Sequence, residues 1–232
     1  MNAFYQKNIS EEVNSLPEEE AKHCIQVLRH KIGDEVLILD GIGGKHIAVI
    51  TDISKKSCQY QITSSSYTIR KKFRIHLAIA PTKNIDRMQW LVEKLTEIGV
   101  DEVSLIQTQN SERRKIRMDR LEKKALSALK QSKNPFLPKI NGLMDIDSLI
   151  NNSSSDQKLI AHVAENHMYI GEALQPNKDV TILIGPEGDF SEKEVSTALK
   201  NGFIPVSLGS NTLRTETAGL TACCATNLLN KY

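Results

Sequence analysis

Residues 180–191 read VTILIGPEGDFS: five apolar or β-branched residues, a turn holding two glycines and a proline, and a serine with Glu194 three positions on. The first five fit a strand buried on both faces, and Ser191 with Glu194 spells a capping box at a helix start. A strand that runs through a glycine turn into a capped helix is half of a β–α–β unit, and such units build parallel sheets. An ordinary turn of this kind needs one glycine. Here Gly185 and Gly188 let the backbone approach a ligand, the first amides of the helix point toward it, and Glu187 between them has no packing role. The turn is therefore a candidate binding loop.

The same alternation extends outward. Residues 74–80 (RIHLAIA), 102–108 (EVSLIQT), 158–163 (KLIAHV) and 203–208 (FIPVSL) read as further strands, with helical patterns between most of them. Over residues 85–98, Ile85, Met88, Leu91, Val92 and Leu95 form one apolar stripe, and Gly99 ends the helix. A last helix is expected over residues 215–229. The result is an α/β domain with a covered parallel sheet, whose ligands gather at the carboxyl ends of the strands. A second loop there, residues 208–218 (LGSNTLRTETA), sets one cation, one carboxylate and two threonine hydroxyls at a strand end. Thr215 capping the helix, with Glu216 favouring its dipole, is the plain structural account of that run. Arg214 does not fit it, because a cation at a helix start opposes the dipole.

Residues 1–72 differ in style. After a helix over about residues 17–27 come EVLILD, the glycine turn Gly41, Gly43 and Gly44, HIAVITDI and SCQYQIT, which is the pattern of a small β-barrel. The domain boundary is placed at 72/73, beside Arg70, Lys71 and Lys72. Charge is unevenly spread. Of 232 residues, 30 are Lys or Arg and 28 Asp or Glu, a net +2, yet residues 111–140 hold ten basic and three acidic residues. Crowding of Arg113, Arg114, Lys115, Arg117 and Arg120 is the footprint of a surface that meets phosphate. The four cysteines lack C-x-x-C spacing and the six histidines form no array, so the cysteines read as reduced packing residues and no metal is expected. No apolar run approaches the ~20 residues of a membrane helix, and the start, MNAFYQKNISEE, carries acids where a signal peptide is apolar. A soluble, cytoplasmic protein with no membrane partner is expected.

The paired motifs IGPEG-x-FS (residues 184–191) and LG-x-x-x-LRTETA (residues 208–218) resemble those of the RsmE family, ribosomal RNA methyltransferases that methylate N3 of a uridine in 16S RNA, within the SPOUT superfamily. HCIQVLRHKIGD (residues 23–34), LVEKLTE (residues 91–97), Ser111, Glu112, Arg113, Gln131 and Ser132 agree, so the resemblance spans nearly the whole chain. It implies an N-terminal PUA-like RNA-binding β-barrel (1–72), a C-terminal SPOUT α/β domain (73–232) with a trefoil knot, and a homodimer acting on 16S ribosomal RNA or the small subunit.

S-adenosyl-L-methionine is the implied cofactor, held by Ile184, Gly185, Pro186, Glu187, Gly188, Leu208, Gly209, Leu213, Thr217 and Ala218. Arg214 and Glu216 are the catalytic candidates. RNA contact falls to Arg29, Lys83, Arg113, Arg114, Lys115 and Arg117. Ala218, Ala222 and Ala225 suit close packing against a partner or against the subunit's own core. Three positions depart from the family pattern: Asp189 stands in place of a second glycine, and Lys130 and Asn134 in place of an acid and an arginine. The alternatives are a SPOUT enzyme acting on another RNA position and a non-catalytic RNA-binding assembly protein; cofactor binding separates the latter.

Overall fold

A computed structural model describes residues 1–9, 14–162 and 168–232. The chain forms two compact units, Met1–Arg70 with Leu126–Leu137, and Lys71–Ala125 with Pro138–Tyr232.

In the first unit, β1 (Ala3–Tyr5), β2 (Asn14–Ser15), β3 (Glu35–Leu39), β4 (Gly44–Ile53) and β5 (Cys58–Tyr67) form one sheet in the order β1-β3-β4-β5-β2. Burial alternates along β4, so one face covers a core of Phe4, Val36, Ile38, Ala48, Ile50 and Tyr60. Two register shifts in the β4/β5 ladder bend the long hairpin, as bulges do. The Asp40 carboxylate closes the glycine turn by accepting from the amides of Ile42 and Gly44 at 2.8 Å each. Helix α1 (Glu18–Lys22) runs on as a π-turn to Val27. The Cys24 and Cys58 sulfurs lie 3.8 Å apart in the core as free thiols, and burial pushes Cys24 up to about 12. Both are buried and their thiols are held protonated, as fits packing residues. Lys130 and Asn134 have structural partners: Lys130 pairs with Glu20 at 2.5 Å, and Asn134 Oδ1 accepts from the Phe136 amide at 3.0 Å.

The second unit holds β6 (Ile75–Ile79), β7 (Glu102–Gln107), β8 (Lys139–Asp145), β9 (Gln157–Ala161), β10 (Met168–Tyr169), β11 (Val180–Ile184) and β12 (Ile204–Ser207). They lie in the order β10-β12-β9-β11-β6-β7-β8, every described pairing parallel. Each residue of β11 is buried, as a central strand covered on both faces requires. Helix α2 (Ile85–Glu97) begins at Asn84, whose side chain accepts from the Asp86 amide, and buries Met88, Leu91, Val92 and Leu95. Gly99 follows at φ +76°. The remaining helices are α3 (Met118–Ser132, shared between the units), α4 (Ile146–Asn152), α5 (Ile170–Ala173), α6 (Glu192–Lys200) and α7 (Thr215–Leu229). The capping box at Ser191 is complete in both directions. Helix α7 lies close on the sheet: a Cβ at Gly219 would sit 2.9 Å from Ile79. Gly219 and Ala222 are thus covered within the subunit.

A polar ladder crosses β6, β7 and β8. His76 Nε2 lies 2.8 Å from Ser104 Oγ, and Asn141 Nδ2 donates to both Ser104 Oγ and Glu102 Oε1. Burial holds the His76 imidazole below its ordinary 6.5, against the opposing pull of Glu102. The folded chain therefore binds fewer protons here than the unfolded chain, so this stability is present above pH 6.5 and is lost as pH falls below it. Thermal unfolding is expected to drop between pH 7.5 and 5.5, and His76→Gln to flatten that dependence. An unchanged slope in the variant would place the acid sensitivity elsewhere.

Candidate active site

The carboxyl ends of β9, β11 and β12 wall a cavity of about 440 Å³. The β11 turn contributes Ile184, Gly185, Pro186, Glu187 and Asp189; the β12 loop contributes Leu208, Gly209, Leu213 and Arg214; α7 contributes Ala218. Two loops singled out by sequence thus meet at one place. Gly188, Glu216 and Thr217 are absent from the wall. The third strand end, Ala161 and His162, carries no motif, and only the rule that ligands collect at carboxyl ends pointed to it.

Two glycines have local reasons. A Cβ on Gly185 would lie 3.2 Å from the Phe190 ring, tighter than ordinary contact. Gly209 sits at φ +136°, where a side chain is strained, and the space beside it is open. Arg214 is the N-cap residue of α7; its carbonyl accepts from the Ala218 amide at 2.8 Å and its side chain is exposed toward the cavity. Glu216 is buried in the first helical turn, where the dipole favours it, with Oε1 3.7 Å from Arg87 Nε of α2. Its Oε2 has no hydrogen-bond partner among the described residues.

Asp189 takes the conformation that a glycine would occupy, at φ +59°. Its Oδ1 accepts from the Phe190 amide at 2.8 Å, and its Oδ2 lies 2.8 Å from His162 Nδ1. Asn110, just after β7, donates to the carbonyls of Gly188 and Asp189 at 3.0 Å each.

The basic residues divide by their partners. Arg113 donates to the backbone carbonyls of Thr82 and Lys83, so its guanidinium ties down the turn before α2. Lys83 pairs with Glu112 and Arg117 with Asp119, both on the surface. Arg29, Arg114 and Lys115 are exposed. Arg120, one of the crowded basic residues, lines a groove with Lys123, Lys124, Asp86 and Gln89, so the basic feature takes in two lysines not first singled out. Among the described residues no three His, Cys, Asp or Glu gather as a metal site, and no helix is long and apolar enough to cross a membrane.

Residues 70–227 match the family model described as an RNA methyltransferase domain, and residues 16–63 the one described as an RNA methyltransferase PUA domain. A ribosomal RNA small subunit methyltransferase E from Buchnera aphidicola is 33% identical over 218 residues, covering 90% of this chain and 85% of the relative. One from Rickettsia conorii is 31% identical, covering 89% and 85%. Among solved structures, a probable rRNA-methyltransferase from Porphyromonas gingivalis superposes with TM-score 0.93 at 44% identity, covering 100% of this chain and 99% of that one. A ribosomal RNA small subunit methyltransferase E from Neisseria gonorrhoeae, bound to S-adenosyl methionine, has TM-score 0.88 at 27% identity, covering 99% and 98%. With both strand-end loops on one cavity and family models matching the catalytic and PUA regions, the chain belongs to the ribosomal RNA small subunit methyltransferase E family.

Proposed function

We propose that this chain methylates N3 of a uridine in 16S ribosomal RNA, with S-adenosylmethionine as methyl donor. The carrying observation is the convergence of the 184–190 and 208–214 loops on one cavity at the sheet's carboxyl edge. Its volume lies in the range of small-molecule sites, and the open space at Gly209 suits a ligand pressed against main chain. The wall residues Ile184 to Glu187, with Leu208, Gly209, Leu213 and Ala218, are assigned to hold the cofactor, and Gly188 and Thr217, outside the wall, to shape the loop and helix that carry them. When bound, it supplies an electrophilic methyl group on a sulfonium.

Uridine N3 carries a weakly acidic proton hidden by base pairing, so the target base must be unpaired or turned out of its stack. Fixing it against the cofactor site supplies up to about 7–11 kcal/mol of the barrier by positioning. Arg214 is assigned to stabilise the negative charge that develops on uracil as the proton leaves. Of the two carboxylates considered, Glu187 lies in the cavity wall and is the better placed proton acceptor; Glu216 lies outside that wall, in the first turn of α7 against Arg87. The first unit and the basic segment are assigned to RNA, the second unit to catalysis in a trefoil-knotted homodimer, and the protein to the cytoplasm where that RNA is made.

Arg114 and Lys115 are exposed in the basic segment, so replacing both by alanine should reduce the salt slope of RNA binding by about 0.7–0.9 for each phosphate they neutralise. An unchanged slope would reduce the segment to a solvated face. The function itself is tested by mass spectrometry of ribosomal RNA from a strain lacking the gene. Loss of one N3-methyluridine from 16S RNA, restored by the intact gene, is the expected result; unchanged RNA, or loss of a ribose methyl, overturns it.

A further inference from the structure

We propose that Asn110, His162 and Asp189 form a clamp that holds the 185–190 turn in its cofactor-accepting shape, which makes them positioning residues for methyl transfer. The proposal rests on the assignment of this cavity to S-adenosylmethionine. The turn lies between two grips. From the β7 side, Asn110 Nδ2 donates to two successive carbonyls, those of Gly188 and Asp189. From the β9 side, His162 Nδ1 meets Asp189 Oδ2. A carboxylate can only accept, so that bond places a proton on Nδ1 and fixes the ring's orientation. Asp189 Oδ1 meanwhile caps its own neighbour's amide, so a single carboxylate joins the turn to itself and to β9.

The far end is anchored as well. Glu194 Oε2 accepts from the amide and hydroxyl of Ser191, and Oε1 from the Gln109 amide at 2.7 Å. Gln109 and Asn110 therefore hold the second half of the turn and the helix start that follows it from one short segment.

The conformation of Asp189 argues for a purpose. At φ +59° glycine would be relaxed and any side chain is disfavoured, aspartate less than most. What aspartate adds is the carboxylate, and both its oxygens are used. A loop that presents main chain to a ligand binds more tightly when it is ordered beforehand, because the ordering entropy is then not subtracted from the affinity. His162 lines the cavity as well as holding the turn, so it adds wall to the site while it fixes it.

The test is calorimetric S-adenosylmethionine binding with steady-state methyl transfer, on wild type, Asp189→Gly, Asp189→Asn, His162→Ala and the Asp189→Gly/His162→Ala double variant. Asp189→Gly keeps the backbone angle and removes the tether. It should weaken cofactor affinity about tenfold or more, raising KM for the cofactor with kcat at saturation near wild type. Asp189→Asn tolerates the same backbone region but keeps only one of the two acceptor oxygens, so it should recover the loss in part. His162→Ala should weaken affinity in the same direction, and the double variant should fall well short of the sum of the two single losses, since both remove the His162–Asp189 bond while Asp189→Gly also removes the Phe190 contact and His162→Ala a piece of the wall. Wild-type affinity in Asp189→Gly, additive losses in the double variant, or affinity falling only in step with the unfolding temperature would each overturn the clamp. A wild-type protein that binds no S-adenosylmethionine would instead overturn the assignment of the cavity.

Discussion

Replacing Arg214 by alanine is expected to lower methyl transfer by about 100-fold or more, with cofactor affinity and unfolding temperature close to wild type. The guanidinium is exposed at the N-cap of α7 and makes no capping hydrogen bond. A cation there is disfavoured by up to about 1 kcal/mol, so its removal should not harm folding and should slightly help it. On the proposed mechanism its value lies in the reaction, where a permanent cation at the cavity wall would meet the charge developing on the base. Lysine should rescue only in part, since it supplies a point charge where arginine supplies a planar fork. Single-turnover methyl transfer and thermal unfolding of the same variants check this. Stability lost in proportion to rate would make Arg214 a structural residue and end the catalytic assignment.

Gly209→Val is expected to abolish measurable S-adenosylmethionine binding while the protein stays folded. At φ +136° a β-branched residue is held against its preference, at a cost of about 1–3 kcal/mol if the loop keeps its shape. The loop is exposed and nothing lies within 4 Å of the new Cβ, so the strain is relieved by moving the loop rather than by unfolding the core. That movement, or the side chain itself, closes the cavity. Normal calorimetric binding by the variant would place the cofactor elsewhere.

The central strands were legible because burial on both faces demands unbroken apolar runs: residues 180–184 read as a strand and are one, and residues 74–80 and 102–108 shorten by a residue or two. The helix at 85–97 announced itself through an apolar stripe with a glycine stop, whereas that at 215–229, rich in threonine with a glycine and two cysteines, was legible from its place after the second strand-end loop. The edges were not legible. Strand β8, KINGLMD, has a glycine, an asparagine and mostly half-exposed positions, because an edge strand covers little core. Strands β1 and β2 are too short to show a period. Nor does local pattern reveal that residues 126–137 pack with the first unit, since that association is long-range.

At the site, the glycine loops were visible because close approach of main chain needs glycine. His162 was not, because one histidine after a strand spells nothing until Asp189 is seen beside it. Glu216 and Arg113 show the converse. Both are chemically suggestive in the sequence, yet the first faces Arg87 outside the cavity wall and the second is bonded to backbone carbonyls.

The most direct test of the account is methyl transfer by the purified protein from labelled S-adenosylmethionine to unmodified 16S ribosomal RNA and to small ribosomal subunits, with the product digested to nucleosides and resolved by mass spectrometry. The account predicts label in N3-methyluridine from at least one of the two substrates, and about a hundredth of it or less with Arg214→Ala on the same timescale. Label in a ribose-methylated or C5-methylated nucleoside, or no label from the wild-type protein on either substrate, would contradict it.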